Sequence, residues 1–394
     1  MTLQKIAILG STGSIGQSSL DVIRINPELF QVVALGANSS LKALSEQIAE
    51  FQPLLVSVGE GKTSELEALL PAGNKTKILE GMEGLKAVAT IVEADQVIAA
   101  MVGAIGIEPV LAAIDAKKRI ALANKETIVL AGPLVMERAR KMGVKIFPVD
   151  SEHNAIFQAL NGENIKEVDF ITLTASGGPF RDLPLAEFEN ITLAQALKHP
   201  NWDMGPKITI DSASLMNKAL EVIEAKWLFD LDLEQIKVVV HKESIIHSLV
   251  TFKDGSSIAQ LGQPDMRVPI SYCLAWPKRV QSGVKALDLA KAGTLHFAEP
   301  DLERFPTLDL AFRTLKLGGG STGALSGGNE ELVALFLAGK LKFTDIFENL
   351  IALVDELEAL HQAKQPTFPF VLHDVSDALQ ADQWGRDFIK QRWT

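Results

Sequence analysis

The chain is 394 residues long, more than one hydrophobic core of ordinary size accommodates, so two or three domains are expected. Hydrophobic residues make up 47% and charged residues 22%, which excludes a disordered chain and, with tyrosine scarce, suits an α/β enzyme better than a β-sandwich. A net charge of −11 without long basic runs speaks against nucleic acid or an anionic membrane as partner, so an anionic substrate must be met by local donors.

Met1 is followed within a few residues by a strand-like segment, with no charged leader, apolar signal core or Arg/Ser-rich transit segment. No apolar run reaches the roughly 18 residues that span a bilayer, and a cytoplasmic protein is expected. Short apolar runs at 6–9, 31–35, 54–58, 96–102, 119–123 and 145–149 alternate with amphipathic stretches such as 16–25 and 41–50. This is the βαβ pattern and predicts a parallel, doubly wound sheet.

The first run ends in Gly10-Ser11-Thr12-Gly13-Ser14-Ile15-Gly16, a turn that lets backbone amides and a helix N-terminus approach a pyrophosphate. Its G-x-x-G-x-x-G spacing departs from the dinucleotide fingerprint G-x-G-x-x-G, so a ligand-free tight turn stays open as an alternative. The second strand ends in Gly36-Ala37-Asn38-Ser39-Ser40, without the carboxylate that selects a free ribose 2′-hydroxyl. Asn38, Ser39, Ser40 and Lys42 offer donors to a 2′-phosphate, which predicts NADP rather than NAD. Met101-Val102-Gly103 and Ala123-Asn124-Lys125-Glu126 end later strands, where a nicotinamide half would lie. Asn-Lys-Glu is equally an ordinary helix start.

Residues 145–149 lead into Asp150-Ser151-Glu152-His153-Asn154. If the extended geometry persists past Val149, Asp150 and Glu152 point the same way and suit a hard divalent cation. Glu221 is the third candidate ligand, on a helix opened by Asp211 or Ser212 that would put Asn217, Lys218 and Glu221 on one side. On spacing alone the favoured alternative is bland: solvated strand-end acids, and a Glu221–Lys218 pair on an exposed helix face. Between them, residues 172–180 form a strand ending in a Ser176-Gly177-Gly178 turn able to hold an anion. His199-Pro200-Asn201-Trp202-Asp203-Met204-Gly205-Pro206 is poor in helix and strand formers and reads as a loop, either permanently anchored or closing over a ligand. His153, His241 and His247 rank below the carboxylates. Residues 262–306, rich in proline and glycine, look partly like a linker, and Cys273, the single cysteine, reads as a buried inert thiol. Helical periodicity at 308–317, 329–338, 343–360 and 375–391 predicts a small helical C-terminal domain.

In this order, the motifs at 10–16, 123–126, 148–158, 176–181, 199–205, 216–221 and 261–267 closely resemble the 1-deoxy-D-xylulose 5-phosphate reductoisomerase family, nearly end to end. The resemblance implies an enzyme dependent on NADPH and a divalent metal (Mg²⁺, Mn²⁺ or Co²⁺) that opens the methylerythritol phosphate route to isoprenoids. Such an enzyme rearranges the substrate's carbon skeleton and reduces the resulting aldehyde to 2-C-methyl-D-erythritol 4-phosphate. The fold expected is an N-terminal Rossmann-like doubly wound sheet (1–150), a central α+β catalytic domain (151–275), a linker (276–305) and a C-terminal helical domain (306–394), in a homodimer.

By the same resemblance Asp150, Glu152 and Glu221 are metal ligands, and Lys125, Ser151 and Lys218 contact substrate. Ser176, Ser212, Asn217 and Lys218 hold its phosphate, with His199 reaching it from a lid that includes Trp202 and Met204. Thr12, Gly13, Ser14, Ile15, Asn124, Glu126 and Gly205 match cofactor contacts, and His153 and His247 match histidines of functional importance. One departure matters: relatives often carry Gly-Lys-Asn or Gly-Arg-Asn where this chain has Asn38-Ser39-Ser40, so only Lys42 is left to supply a basic group nearby. A second, milder departure is Ser326-Gly327-Gly328-Asn329-Glu330 in place of Asn-Ala-Ala-Asn-Glu, which leaves the chemistry untouched. Two other classes remain for the residues taken alone. One is a metal-dependent hydroxy-acid dehydrogenase using Arg181 and Arg267 on a substrate carboxylate; the other is a dinucleotide-sensing regulator.

Overall fold

The computed structural model describes residues 2–200, 202, 204–364 and 367–393. It contains two compact units: Met1–Thr127 with Val135–Asn154 and Asp265–Lys285, and Ile128–Leu134 with Ala155–Pro264 and Ala286–Thr394.

The first unit is built on seven parallel strands, β1 (Gln4–Leu9), β2 (Phe30–Gly36), β3 (Leu55–Val58), β4 (Lys77–Glu80), β5 (Gln96–Ala99), β6 (Arg119–Leu122) and β7 (Ile146–Pro148), in the order β4-β3-β2-β1-β5-β6-β7. β3 and β5 are buried along their whole length, as strands covered by helices on both faces must be, which is why they read as apolar runs. The order reverses between β1 and β5, and this switch point opens a crevice at the strands' carboxyl ends. β4 escaped the sequence reading because Lys77-Ile78-Leu79-Glu80 is an edge strand, charged at both ends and nowhere fully buried. Residues 262–306 are also less linker-like than expected. Arg267–Ala275 is a helix buried from Pro269 onward, with the Cys273 carbonyl accepting from Gln96 Nε2 at 3.1 Å. Its short span between Pro264 and Pro277 hides the helical period.

The second unit contains a mixed sheet, β11-β10-β8-β9, of β8 (Val168–Ala175), β9 (Ile236–Val240), β10 (Ile246–Phe252) and β11 (Ser257–Leu261). Helices Pro206–Ala213 and Met216–Phe229 follow one another in this unit, and a C-terminal group, Thr307–Leu317, Ser321–Leu337, Phe343–Gln362 and Val375–Trp393, completes it. The chain is thus α/β with a helical C-terminal part.

Two helix boundaries differ from expectation for identifiable reasons. Asp211 and Ser212 do not open the helix carrying Glu221; they end the one before it. Ser214 Oγ donates to the Ile210 carbonyl and accepts from the Met216 N–H, and Leu215 takes φ +58°, so the chain breaks there and restarts at Met216. The helix expected at 329–338 begins earlier, at Ser321. Its glycines weaken helix propensity, but a Cβ at Gly327 would lie 2.3 Å from the Asp382 carbonyl oxygen, so close approach to helix Val375–Trp393 requires glycine there.

Candidate active site

Residues 10–16 leave β1 at the switch point. A Cβ on Gly10 would lie 2.4 Å from the Ala100 carbonyl oxygen, and one on Gly16 would lie 2.4 Å from that of Gly10. Only glycine fits either place. The turn is held from behind by a buried reciprocal pair: Ser11 Oγ donates to Gln47 Oε1 at 2.7 Å and Gln47 Nε2 donates to the Ser11 carbonyl at 3.0 Å. Helix Ser14–Arg24 then starts without a side-chain cap and without an acid in its first turn, so its exposed N-terminus at Ser14 suits a pyrophosphate, while the Gly13 N–H is taken by the Gly10 carbonyl at 3.1 Å. Past β2, Ser39, Ser40 and Lys42 line an open cavity of 570 Å³ shared with Glu46 and Glu65. Asn38 lies beside Gly59, whose N–H it binds through its carbonyl at 2.9 Å.

Asn124 is buried, and its amide hydrogens are committed within the protein, to the carbonyls of Met101 (2.9 Å) and Gly103 (3.2 Å) and to Glu126 Oε2 (3.0 Å). It ties the loop after β5 to the start of helix Lys125–Met142. The helix-start reading of Asn-Lys-Glu is thus the one seen in the fold, with Asn124 also joining that start to the loop after β5.

The acid corner follows β7. The extended geometry does not persist past Val149, because helix Ser151–Ala159 begins at once; Asp150 stands just before it and Glu152 in its first turn. Asp150 pairs with the Lys125 ammonium and lies 3.9 Å from His153 Nδ1, while Ser151 Oγ donates to Glu152 Oε2 at 2.6 Å. The corner is fixed by two groups to which sequence reasoning gave no part in it. Asn154 Nδ2 donates to the Pro148 carbonyl at 2.8 Å, and the Cys273 thiol reaches the same oxygen at 3.2 Å. Burial pushes the Cys273 thiol well above its ordinary value, which keeps it an inert neutral donor, as expected.

In the second unit, Glu221 is fully buried on helix Met216–Phe229, and its two oxygens take hydrogen bonds from Asn217 Nδ2 and the Lys218 ammonium. The bland reading had the pair right and the exposure wrong: Lys218 is only 4% exposed. A buried carboxylate with two such donors is expensive to keep unless it is used. Asn217 Oδ1 is a buried acceptor with no hydrogen-bond partner among the described residues. Carboxylate oxygens and an orphaned amide oxygen form a hard donor set that fits a divalent cation and hydroxylated substrate.

The same unit carries the Ser-Gly-Gly turn expected to meet an anion. β8 runs into Ser176, Gly177 and Gly178, the glycines at φ +77° and +68°. A Cβ on Gly178 would lie 2.6 Å from the Ser212 carbonyl oxygen, so the turn and Ser212 pack backbone to backbone. Ser176 Oγ accepts the Gly178 N–H at 3.2 Å, and Arg181 Nη1 donates to the Ser176 carbonyl at 3.1 Å from the outer side. His199 Nδ1 accepts the Trp202 N–H at 2.9 Å, so the neutral ring's proton sits on Nε2, 3.0 Å from Ser176 Oγ. Burial, with the nearby Arg181 charge, lowers His199 from the ordinary 6.5 to about 4. Trp202 lies over His247 with ring centroids 6.3 Å apart. The loop of residues 199–205 thus reaches both Ser176 and His247; Asn201 and Asp203 lie outside the described residues. Gly205 precedes Pro206, which opens the next helix.

Three family models match the chain: 1-deoxy-D-xylulose 5-phosphate reductoisomerase over residues 6–132, its C-terminal domain over 146–229, and the DXP reductoisomerase C-terminal domain over 261–388. The chain belongs to the 1-deoxy-D-xylulose 5-phosphate reductoisomerase family. The reductoisomerase of Pelodictyon phaeoclathratiforme (strain DSM 5477 / BU-1) is 51% identical over 389 residues, 99% of either chain. That of Bacillus thuringiensis subsp. konkukian (strain 97-27), numbered 1, is 50% identical over 98% of this chain and 97% of its own. Among solved structures, DOX-P reductoisomerase in complex with NADPH, fosmidomycin and magnesium is 43% identical with a TM-score of 0.93, covering 99% of this chain and 98% of that one. The Zymomonas mobilis enzyme in complex with NADPH is 39% identical with a TM-score of 0.89 over 99% of both chains. Membership in the reductoisomerase family decides against the hydroxy-acid dehydrogenase and sensor alternatives. Arg181 and Arg267 agree with that outcome: Arg181 braces the Ser176 turn, and Arg267 is paired with Asp265 at 2.6 Å. Among the described residues, no helix is long and apolar enough to cross a membrane.

Proposed function

We propose that the chain is a 1-deoxy-D-xylulose 5-phosphate reductoisomerase, dependent on NADPH and a divalent metal, in the non-mevalonate route to isoprenoid precursors. The observation that carries this reading is the full-length likeness, 51% identity across 99% of the chain, to an enzyme of that name. The two halves of the site supply its parts. Asp150, Glu152 and Glu221 hold the metal, magnesium as in the similar structure or else manganese or cobalt. Thr12, Gly13, Ser14, Ile15, Asn124, Glu126 and Gly205 hold NADPH, with Asn38, Ser39 and Ser40 at its ribose phosphate. When bound, these groups polarise the substrate oxygens during skeletal rearrangement and supply the hydride that reduces the aldehyde to 2-C-methyl-D-erythritol 4-phosphate.

The chain's own residues do the positioning. Ser176, Ser212, Asn217, Lys218 and His199 receive the substrate phosphate, and Lys125, Ser151 and Glu152 orient the hydroxyl end. Trp202 and Met204 exclude water as the lid settles, and His153 and His247 support the catalytic groups. The domain roles follow: 1–150 for the nucleotide, 151–275 for metal, substrate and lid, 276–305 as the connection and 306–394 as the helical support. The enzyme works as a homodimer in the cytoplasm.

The test is oxidation of NADPH and NADH, side by side, by purified protein given 1-deoxy-D-xylulose 5-phosphate with magnesium, manganese or neither. Metal-dependent oxidation is expected, lost in Glu221→Gln while fold and nucleotide binding persist. No oxidation by folded, nucleotide-binding protein would overturn the assignment, and full activity in Glu221→Gln would overturn the metal set.

A further inference from the structure

Asp211 has no role in the reading above, yet its carboxylate is only 1% exposed. It sits in the last turn of helix Pro206–Ala213, where the helix dipole disfavours an anion. Two donors make it tenable: Lys207 Nζ at 2.9 Å, one turn back on the same helix, and Asn329 Nδ2 at 2.8 Å, from helix Ser321–Leu337. In turning its amide hydrogens to Asp211, Asn329 leaves its own Oδ1 buried with no hydrogen-bond partner among the described residues. An apolar pair would pack here without either penalty, so packing stability alone does not account for the polar pair.

What it holds is the segment between two helices. Ser212 follows Asp211 directly and abuts Gly178 of the Ser176 turn. Ser214 and Leu215 form the break, with Leu215 at φ +58°, a conformation rare for a branched side chain. Asn217 and Lys218 open the next helix. A second C-terminal group fixes the far side of the break, Thr307 Oγ1 donating to the Ser214 carbonyl at 2.6 Å. The residues proposed to receive the phosphate therefore stand on a strained corner whose two ends are tied to the C-terminal helices.

We propose that Asp211 is a positioning residue for the substrate phosphate, held by Asn329, which gives the C-terminal helices a direct part in substrate affinity. The proposal rests on the assignment of Ser176, Ser212, Asn217 and Lys218 to the phosphate. Asp211→Asn, Asn329→Leu and the exchanged double variant Asp211→Asn/Asn329→Asp are compared with wild type for KM, kcat, affinity for inorganic phosphate and affinity for NADPH. Each single variant raises KM and weakens phosphate binding by roughly two- to thirtyfold, the range for a residue that acts through its neighbours rather than on the ligand, with a smaller fall in kcat and unchanged NADPH affinity. The exchanged variant recovers most of the loss. A merely structural pair would lower the melting temperature and leave KM and phosphate affinity alone, which overturns the proposal, as does failure of the exchange to restore either. If Asn329→Leu does not fold, the near-isosteric Asp211→Asn decides. Ser212→Ala separates the two layers: unchanged phosphate affinity there sinks the phosphate assignment itself, whereas a loss there with none in Asp211→Asn sinks only the positioning role.

Discussion

His199 shows how the surroundings of one ring set the behaviour of a loop. Burial holds it neutral, at about 4 against the ordinary 6.5, and the Trp202 N–H on Nδ1 directs its remaining proton toward Ser176. The unfolded chain binds a proton between those values and the folded chain does not, so this ring's contribution to stability is intact above pH 6.5 and is lost as pH falls toward about 4. Thermal midpoints of ligand-free protein are expected to fall less steeply between pH 7 and pH 4.5 in His199→Asn than in wild type; parallel curves would show that the ring titrates normally. The sequence could place His199 in a loop of prolines and aromatics, but its protonation state depends on Arg181 and on packing, which spacing does not encode. Glu221 teaches the converse. Its partners Asn217 and Lys218 were legible from helical spacing, while its burial, which sets it apart from a surface ion pair, was not.

Elements were legible where their burial was uniform. β3 and β5 are covered on both faces and announced themselves as apolar runs, whereas the exposed edge strand β4 did not. Helix Ser321–Leu337 was recognised only from Asn329 onward because glycine is a poor helix former, and the reason for those glycines lies in another helix far along the chain. Helices Ser321–Leu337 and Val375–Trp393 meet so closely that a Cβ on Gly385 would sit 2.0 Å from the Ala324 carbonyl oxygen. Gly385→Ala gains helix propensity, yet it must push the two backbones apart, and overpacking of this kind costs about 1–3 kcal/mol. A lowered urea midpoint with an unchanged slope is expected; a rise in midpoint would mean that the contact relaxes freely. The same argument covers the acid corner. Asp150 and Glu152 were found from their motif, but the sharp strand-to-helix turn that carries them is fixed by Asn154 and Cys273, whose partner is the carbonyl of Pro148. Contacts to a backbone oxygen leave no residue-type signature at the partner position.

For the molecule as a whole, charge is the property that the sequence states most directly, and it bears on how substrate arrives. The chain carries −11, and both the proposed substrate and the proposed cofactor are anions, so the long-range field opposes their approach. Attraction must come at short range, from local donors such as Lys218, which is buried and so screened by salt far less than surface charge separated by more than about 10 Å at 0.1 M, and from the exposed helix N-terminus at Ser14. Raising ionic strength with an inert salt, at saturating metal, should therefore leave kcat/KM flat or slightly raised, as the repulsive field collapses and the local contacts persist. An enzyme that steered its anionic substrate through a basic funnel would instead lose kcat/KM steeply with salt. A steep loss here, with nucleotide affinity held constant, would mean that the cations around the phosphate pocket project a field strong enough to outweigh the rest of the chain, and that the donors act at a distance rather than on contact.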